Sequence, residues 1–252
     1  MNDKHPILQE RLNSLTPEIC KLLISNNLLN LLISRELARF KIDQAEYDPQ
    51  VIEDTKKNII RNKNLKSEED IQLWLDGGGV TGETFHEYVV RMIKEQNYIL
   101  SNFGHMAESL FLKKQDDLDY ATYSLIRVED QLISQELYMR IKESEESFED
   151  VASNYSIGPE KDFKGLIGPI QVGKGHEQIT QLIRTSEIGQ VQGPIQLNLD
   201  NKEVYLIFRL ENLYKSKLDE QMKLNLSKEV FQTRIEEETK ILVDSIKLKY
   251  QL

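Results

Sequence analysis

The chain has 252 residues, 39% of them hydrophobic, and a formal net charge of −10 at pH 7. Such an acidic chain has no excess of cations to neutralise phosphates, so nucleic acid is not an expected partner. It contains no run of 18 apolar residues and no apolar signal core near Met1, so we expect no membrane insertion and a cytoplasmic location. The single cysteine, Cys20, cannot form an intrachain disulfide, which fits a reducing compartment.

The N-terminal part of the chain is predicted to be a series of capped helices. Thr16-Pro17-Glu18 supplies an N-cap, a first-turn proline and a first-turn carboxylate, and a helix is expected from there through Phe40. Further helices are expected after Asp48-Pro49, after the capping box Ser67–Asp70, and after Thr81. The apolar residues of the first helix recur at helical spacing: Ile19, Leu22, Leu23, Leu29, Ile33 and Leu37.

The central part of the chain alternates between strand and helix patterns. The expected order is β-α-α-β-α-β-β, which predicts a small antiparallel sheet with helices packed against it, so the chain as a whole belongs to the α+β class. The last two strands are expected to join through a turn at Asp200 and Asn201. The predicted strands are 120–128, 165–170, 193–195 and 204–210, and the predicted helices are 129–142, 148–155 and 176–183.

A long amphipathic helix is predicted from Ser216 to Tyr250. Its apolar stripe would stay in water if the helix stood alone, so we expect it to pack against the N-terminal helix that carries Leu22, Leu29 and Ile33. The sequence therefore predicts a helical domain formed by residues 1–116 plus 216–252, with residues 117–215 inserted as a separate domain. The stripe consists of Leu218, Met222, Leu226, Val230, Ile235, Leu242 and Ile246.

The inserted segment carries glycines, prolines and apolar residues at a distinctive spacing. It reads Phe148-Glu-Asp-Val-Ala-Ser-Asn-Tyr-Ser156, then Gly165-Leu-Ile-Gly168, then Gly189-Gln-Val-Gln-Gly193-Pro194-Ile195, and then an apolar run at 204–210. This pattern resembles the parvulin family of peptidyl-prolyl cis/trans isomerases, whose segments read roughly F-x-x-x-A-x-x-x-S, G-G-x-L-G, G-x-x-x-G-P-[VI] and G-Y-H-I-I-K-L. The resemblance implies a parvulin fold and a rotamase activity that needs no cofactor.

The helical part carries a second resemblance. The sequence from Leu65 through Trp74, followed by Val80-Thr-Gly-Glu-Thr-Phe85, is similar to the helical domain of SurA-like, PrsA-like and trigger-factor-like chaperones. In those proteins an isomerase domain is inserted and a C-terminal helix returns to the helical domain. The resemblance implies a partner that is an unfolded or extended polypeptide.

The polar site residues of the parvulin family are replaced in this chain. The resemblance puts the first strand histidine at Ser124 and the second at Leu206, with the cysteine or aspartate position near Ile157 and Gly158. Since none of these positions holds the family's residue, we interpret the isomerase activity as weak or lost. Arg127 lies where phosphate-selective parvulins carry a basic cluster, but the acidic residues that follow it do not favour phosphoserine selectivity.

Other residues could rebuild such a site. The candidate catalytic residues are Ser124, Tyr205 and His176, and the hydroxyls of Tyr123 and Tyr205 could also donate to a bound carbonyl. The four histidines are far apart in the sequence, so no metal site is predicted. The candidate peptide-binding residues are Ile170, Ile179, Leu182, Leu206 and Phe208.

Three functions remain open at this point. The first is a foldase or chaperone whose parvulin domain binds unfolded or proline-containing segments with little isomerase activity. The second is a working isomerase with a rebuilt site. The third is a dedicated accessory factor for one precursor peptide or secretion substrate.

Overall fold

The structure, a computed structural model, describes residues 12, 14–199 and 202–251. The chain divides into two compact units: one runs to Glu108 and resumes at Asp219, and the other covers Ser109–Leu218. The sequence predicts the first boundary after residue 116, which is later than in the structure. It predicts the second boundary after residue 215, which is earlier than in the structure. A continuous helix, Ala107–Leu118, runs through the first junction, and an unbroken helical pattern gives no signal of a boundary.

In the first unit the described residues form helices and the turns between them. Its caps follow the sequence: Thr16, Asp48, Ser67 and Thr81 each accept a hydrogen bond from a backbone N–H in the first turn of the helix that follows. Among the described residues of this unit, the α-helices are α1 (Pro17–Ser25), α2 (Leu29–Asp43), α3 (Pro49–Asn62), α4 (Glu68–Gly77), α5 (Gly82–Phe103) and the long C-terminal helix, which we number α10 (Glu220–Tyr250).

The single N-terminal helix predicted through Phe40 is wrong, because the chain turns between α1 and α2. Asn27 adopts a positive φ of 57°, and the Leu28 N–H closes back onto the carbonyl of Leu23. After this turn Leu29 is buried as predicted, but Leu22 is 64% exposed.

The C-terminal helix α10 packs against α2 and α5, as the sequence predicts for the fold. Its buried face is shifted from the predicted stripe, since Val230 and Leu242 are only partly buried while Phe231 and Val243 lie in the core. Two clusters join these helices: one contains Leu37, Ile42, Ile99, Leu224, Phe231 and Ile235, and the other contains Cys20, Leu29, Ile33, Val243 and Ile246.

The second unit has the predicted β-α-α-β-α-β-β order. Its four strands pair antiparallel in the order β2-β1-β4-β3. The predicted turn at Asp200 and Asn201 lies outside the described residues. After α6 (Ala107–Leu118) the elements are β1 (Tyr120–Val128), α7 (Gln131–Lys142), α8 (Phe148–Tyr155), β2 (Leu166–Gln171), α9 (Glu177–Thr185), β3 (Val191–Leu199) and β4 (Lys202–Tyr214).

The sheet of this unit buries both of its faces. The α9 face carries Ala121, Tyr123 and Leu125 of β1 and Val204, Leu206, Phe208 and Leu210 of β4, which pack with Ile179 and Ile183 of α9. The α7–α8 face carries Ile126, Val128 and Ile207, which pack with Leu137, Ile141, Phe148, Val151 and Ala152. Successive strand residues therefore alternate between two different environments.

Among the described helices, none combines the length and the apolar character needed to cross a membrane.

Candidate functional site

The predicted peptide-binding residues come together on the α9 face. Ile179, Leu206 and Phe208 belong to its buried cluster, and Ile170 and Leu182 pack against that cluster while remaining partly exposed. Leu206 and Phe208 are only 1% and 0% exposed, so they form the floor of the layer and not its surface. Of the five residues, Ile170 and Leu182 are the ones best placed to touch a peptide.

The predicted catalytic residues do not come together. Ser124 is paired across the sheet with Arg209, and both residues lie on the α7–α8 face. Leu206 lies on the other face of the sheet. Its hydroxyl donates to Oε1 of Glu211, which also accepts from Nε of Arg209 at 2.6 Å. Arg209 in turn donates to Glu149 at 2.7 Å, so Ser124 is bound into a structural ion-pair network.

Tyr205 and His176 each have a local role. Tyr205 packs against the α7–α8 face, and its hydroxyl donates to Oε1 of Glu203 at 2.8 Å, a hydrogen bond that raises the pKa of the phenol. His176 is the exposed N-cap of α9, and its Nδ1 accepts from the backbone N–H of Gln178 at 3.4 Å. Tyr205 thus lies on the face opposite Leu206, and the His176 ring caps the first turn of α9.

Tyr123 lies on the α9 face, on the same side of the sheet as Leu206. Its ring packs on Phe208 with centroids 5.4 Å apart, and the residue is 6% exposed. Its hydroxyl has no hydrogen-bond partner in the part of the chain that the structure describes. Burial raises the pKa of this phenol, an effect that Arg127 opposes and Glu160 reinforces, so the hydroxyl keeps its proton near neutral pH.

The sequence alone gives only a weak signal for whether Tyr123 or Ser124 lies on the α9 face. Neighbouring strand residues point to opposite faces, so an error of one position in aligning β1 moves the side chain through the sheet. The cross-strand pairing of Arg127 with Leu206 and of Leu125 with Phe208 identifies the odd-numbered positions of this part of β1 as the α9 face.

Arg127 and Glu160 form a buried ion pair at the end of β1. The guanidinium donates to both carboxylate oxygens of Glu160, with Nε to Oε1 at 3.0 Å. The hydroxyl of Ser156 donates to the same Oε1 at 2.7 Å and accepts from the Arg127 backbone N–H at 3.0 Å. Glu160 is 3% exposed, so its charge is held entirely by these neighbours.

Gly158 leaves the space that the Glu160 carboxylate occupies. A Cβ built at position 158 would overlap both carboxylate oxygens of Glu160. The resemblance placed a cysteine or aspartate near Ile157 and Gly158, and the structure instead puts an acidic group there from Glu160, two residues further along the chain. The sequence could not find this substitution, because nothing local indicates that Arg127 and Glu160 meet.

The helical unit has a separate polar groove. It has a volume of about 310 Å³ and lies between α2, the segment after it, and α5. Nζ of Lys94 donates to the Asp43 carbonyl at 2.9 Å and lies 5.5 Å from the centre of the Tyr47 ring, which closes one end. The groove is lined by Arg39, Asp43, Tyr47, His86, Glu87, Val90, Arg91 and Lys94.

Within the described ranges, no group of three or more histidine, cysteine, aspartate or glutamate residues is arranged to hold a metal ion.

Comparison with protein families gives one match, to the family described as "Rotamase: PPIC-type PPIASE domain", over residues 127–212. This segment is about a third of the chain. No curated protein matches the chain.

Several solved structures are similar to this chain at low sequence identity. A peptidylprolyl isomerase (PrsA) from Bacillus anthracis is 19% identical, with 88% of this chain and 98% of that chain covered and a TM-score of 0.41. The foldase protein PrsA from Streptococcus pneumoniae is also 19% identical, with 99% and 88% covered and a TM-score of 0.39. A structure from Campylobacter jejuni, described under SurA-like chaperones, is 15% identical, with 97% and 94% covered and a TM-score of 0.36.

Proposed function

Because residues 127–212 form a PpiC-type peptidyl-prolyl isomerase domain, we propose that the protein is a foldase or chaperone in which this domain binds unfolded or proline-containing peptide segments. Its isomerase activity is weak or lost. The observation that carries this proposal is that the α9 face is a layer of apolar residues, while the one histidine in the sequence of the inserted unit, His176, caps α9.

Weak activity follows from what isomerisation requires. The barrier to rotation about a peptide bond is about 18–20 kcal/mol, and a catalyst lowers it by placing donors and excluding water where the twisted amide develops. On the α9 face the uncommitted donor is the Tyr123 hydroxyl, since Arg127 is bound to Glu160. One neutral donor can hold a peptide, but it supplies little of the electrostatic stabilisation that a faster reaction needs.

Peptide binding is supported by the surface next to this face. Ile157 and Phe163 are 56% and 71% exposed and flank the segment that carries Glu160. Exposed apolar side chains beside a partly exposed apolar layer suit an extended polypeptide with apolar residues.

The proposal predicts that the rate of proline isomerisation is at least about tenfold below that of an active parvulin domain assayed beside it. Tenfold corresponds to about 1.4 kcal/mol of barrier, a modest loss for a site without its usual polar groups. The measurement is a protease-coupled assay on proline peptides, with the active domain as positive control. A rate in the range of the control would show that the protein is a working isomerase.

That working isomerase would need a site other than the one the sequence suggested. Ser124 and Tyr205 lie on the α7–α8 face, and His176 caps α9, which favours the foldase over an isomerase rebuilt around these three side chains.

A further inference from the structure

We propose that the Tyr123 hydroxyl is the donor that binds a carbonyl oxygen of the peptide on the α9 face, and that this site prefers uncharged peptide. The inference rests on the proposed function and deepens it, since it names the polar contact and the charge class of the ligand. Tyr123 would be a binding residue, with the Arg127–Glu160 pair as its neighbouring, charge-neutral wall.

The first argument is a phenol hydroxyl that the chain leaves without a partner. The Tyr123 residue is 6% exposed and its ring is packed in the core, but its hydroxyl has no partner among the described residues. The fully buried side-chain oxygens without a partner, among those residues, are Oγ of Ser134 and Oγ1 of Thr239, so the Tyr123 hydroxyl is open to solvent. By contrast, the hydroxyls of Ser124 on β1 and Tyr205 on β4 each donate a hydrogen bond to a glutamate of the chain. The Tyr123 hydroxyl is therefore left for a group from outside it.

The second argument is that the hydroxyl is held in place. The ring packs on Phe208 at an interplanar angle of 32°, inside a cluster that restricts its rotation. Arg127, which is bound to Glu160, lies four residues further along β1 on the same face. A donor fixed in this way loses little conformational entropy when it binds a ligand.

The third argument concerns the charge of the ligand. Arg127 could attract an anion, but its guanidinium is held at both oxygens of Glu160. The paired guanidinium and carboxylate carry no net charge together, so this wall attracts neither an anion such as phosphate or carboxylate nor a cation. A neutral acceptor fits this environment, and the backbone carbonyl is the neutral acceptor that every peptide carries.

The test compares the full-length protein with its Tyr123→Phe variant. The probe is a short peptide of alanine, leucine and proline with blocked termini, titrated against isotope-labelled protein and followed by NMR. We expect perturbed signals from Ile170 and Leu182 in the wild type and about threefold to tenfold weaker binding in the variant, the usual effect of one neutral hydrogen bond. A matched peptide with two glutamates should bind the wild type more weakly than the neutral peptide.

Melting temperature separates binding from structure. Tyr123→Phe removes an oxygen that has no described partner, so the melting temperature should stay the same or rise. Tyr138→Phe, on α7 and beside the opposite face of the sheet, is the matched control and should change neither binding nor stability. A second measurement uses probe peptides with a single thioamide, a weaker acceptor, at successive positions. One position should weaken binding to the wild type and leave binding to the variant unchanged.

The outcomes separate the proposed role of Tyr123 from the proposed function of the domain. Equal binding by wild type and Tyr123→Phe, or weaker binding accompanied by a lower melting temperature, would overturn the role of Tyr123 and leave the proposed function standing. Tighter binding of the acidic peptide would overturn the neutral preference. If the wild type shows no binding, or binding confined to the groove lined by Arg39 and Arg91, the proposed function of this domain fails as well.

Discussion

The Arg127–Glu160 pair shows how one buried carboxylate fixes several backbone segments at once. It connects β1 to the segment after α8, and Ser156 adds a hydrogen bond from the residue that ends that helix. Breaking such a pair from one side leaves a poorly solvated charge, which costs more than the intact pair contributes.

We expect Glu160→Gln to destabilise the inserted unit by about 2–3 kcal/mol. This is less than the cost of breaking a fully buried ion pair, because the Arg127 side chain retains 25% exposure and can reach water. The measurement is urea unfolding followed by the amide signals of β1. Asp162→Asn, an exposed residue of the same segment, is the control and should stay within about 0.5 kcal/mol of wild type. A neutral effect of Glu160→Gln would mean that the pair is not needed for stability.

Asp119 ties the two ends of the inserted unit together. Its carboxylate accepts from Nζ of Lys215 at 2.7 Å and from the backbone N–H of Ser216 at 2.8 Å. Burial by itself would raise the pKa of Asp119, but the hydrogen bonds from Lys215 and Ser216 together outweigh it, so the pKa lies below its usual value.

This shift predicts a pH dependence with a definite sign. Because the pKa of Asp119 is lower in the folded than in the unfolded state, its contribution is complete above the unfolded value of about 3.9 and disappears as the pH falls through the folded value. Asp119→Asn should therefore lower stability by about 2 kcal/mol at pH 7 and by much less at low pH. Parallel urea titrations at several pH values measure the difference, and a gap between the proteins that does not narrow in acid would contradict this explanation.

At the scale of elements, the sheet depends on irregular positions in β2 and β3. β2 pairs with β1 through a register shift between Ala121 and Tyr123. Gly168 lies opposite this shift with a φ of +113°, a conformation that residues with a Cβ rarely adopt. The Gly-Leu-Ile-Gly pattern noticed in the sequence thus marks a backbone requirement and not a catalytic one.

Gly168→Ala should destabilise the inserted unit by about 2 kcal/mol or more, because a Cβ there would lie 2.6 Å from the carbonyl oxygen of Ala121 in addition to the unfavourable φ. Gly82→Ala is a matched control at the start of α5, where a Cβ meets nothing within 4 Å. That change should be neutral or slightly stabilising, since alanine favours helices. Similar stabilities for the two variants would show that the strain at Gly168 is relieved by local movement.

At the scale of the whole molecule, the helical unit is built from both ends of the chain. Two of its clusters contain residues of α10 together with residues of α1, α2 or α5, so neither end buries its apolar face alone. The inserted unit has its own two-faced core between Ser109 and Leu218.

Deleting residues 219–252 should therefore unfold or aggregate the helical unit, because Leu37, Ile33 and Leu29 lose their packing partners on α10. A fragment of residues 109–218 should still fold cooperatively. Circular dichroism and thermal melting of the truncated chain and of the fragment test the prediction. If the truncated chain keeps its helical signal per residue and its melting temperature, the helical unit does not depend on its C-terminal helix.

The sequence by itself determined the features that depend on neighbouring residues. The caps at Asp48, Ser67 and Thr81 and the order of elements in the inserted unit are set by side chains a few positions apart, and the structure confirms them. The return of α10 to the N-terminal helices could also be predicted. Its apolar stripe had to be buried, and the predicted inserted unit was already complete without this helix.

Only the tertiary structure decided which side chains meet. The sequence could not show that Tyr123, rather than Ser124, lies on the same face of the sheet as Leu206, since the face of a strand residue depends on its pairing with a distant strand. Nor could it bring Glu160 into the space left by Gly158, or pair it with Arg127. The candidate site is made of such long-range contacts, and they form only when the sheet and the segment after α8 have packed together.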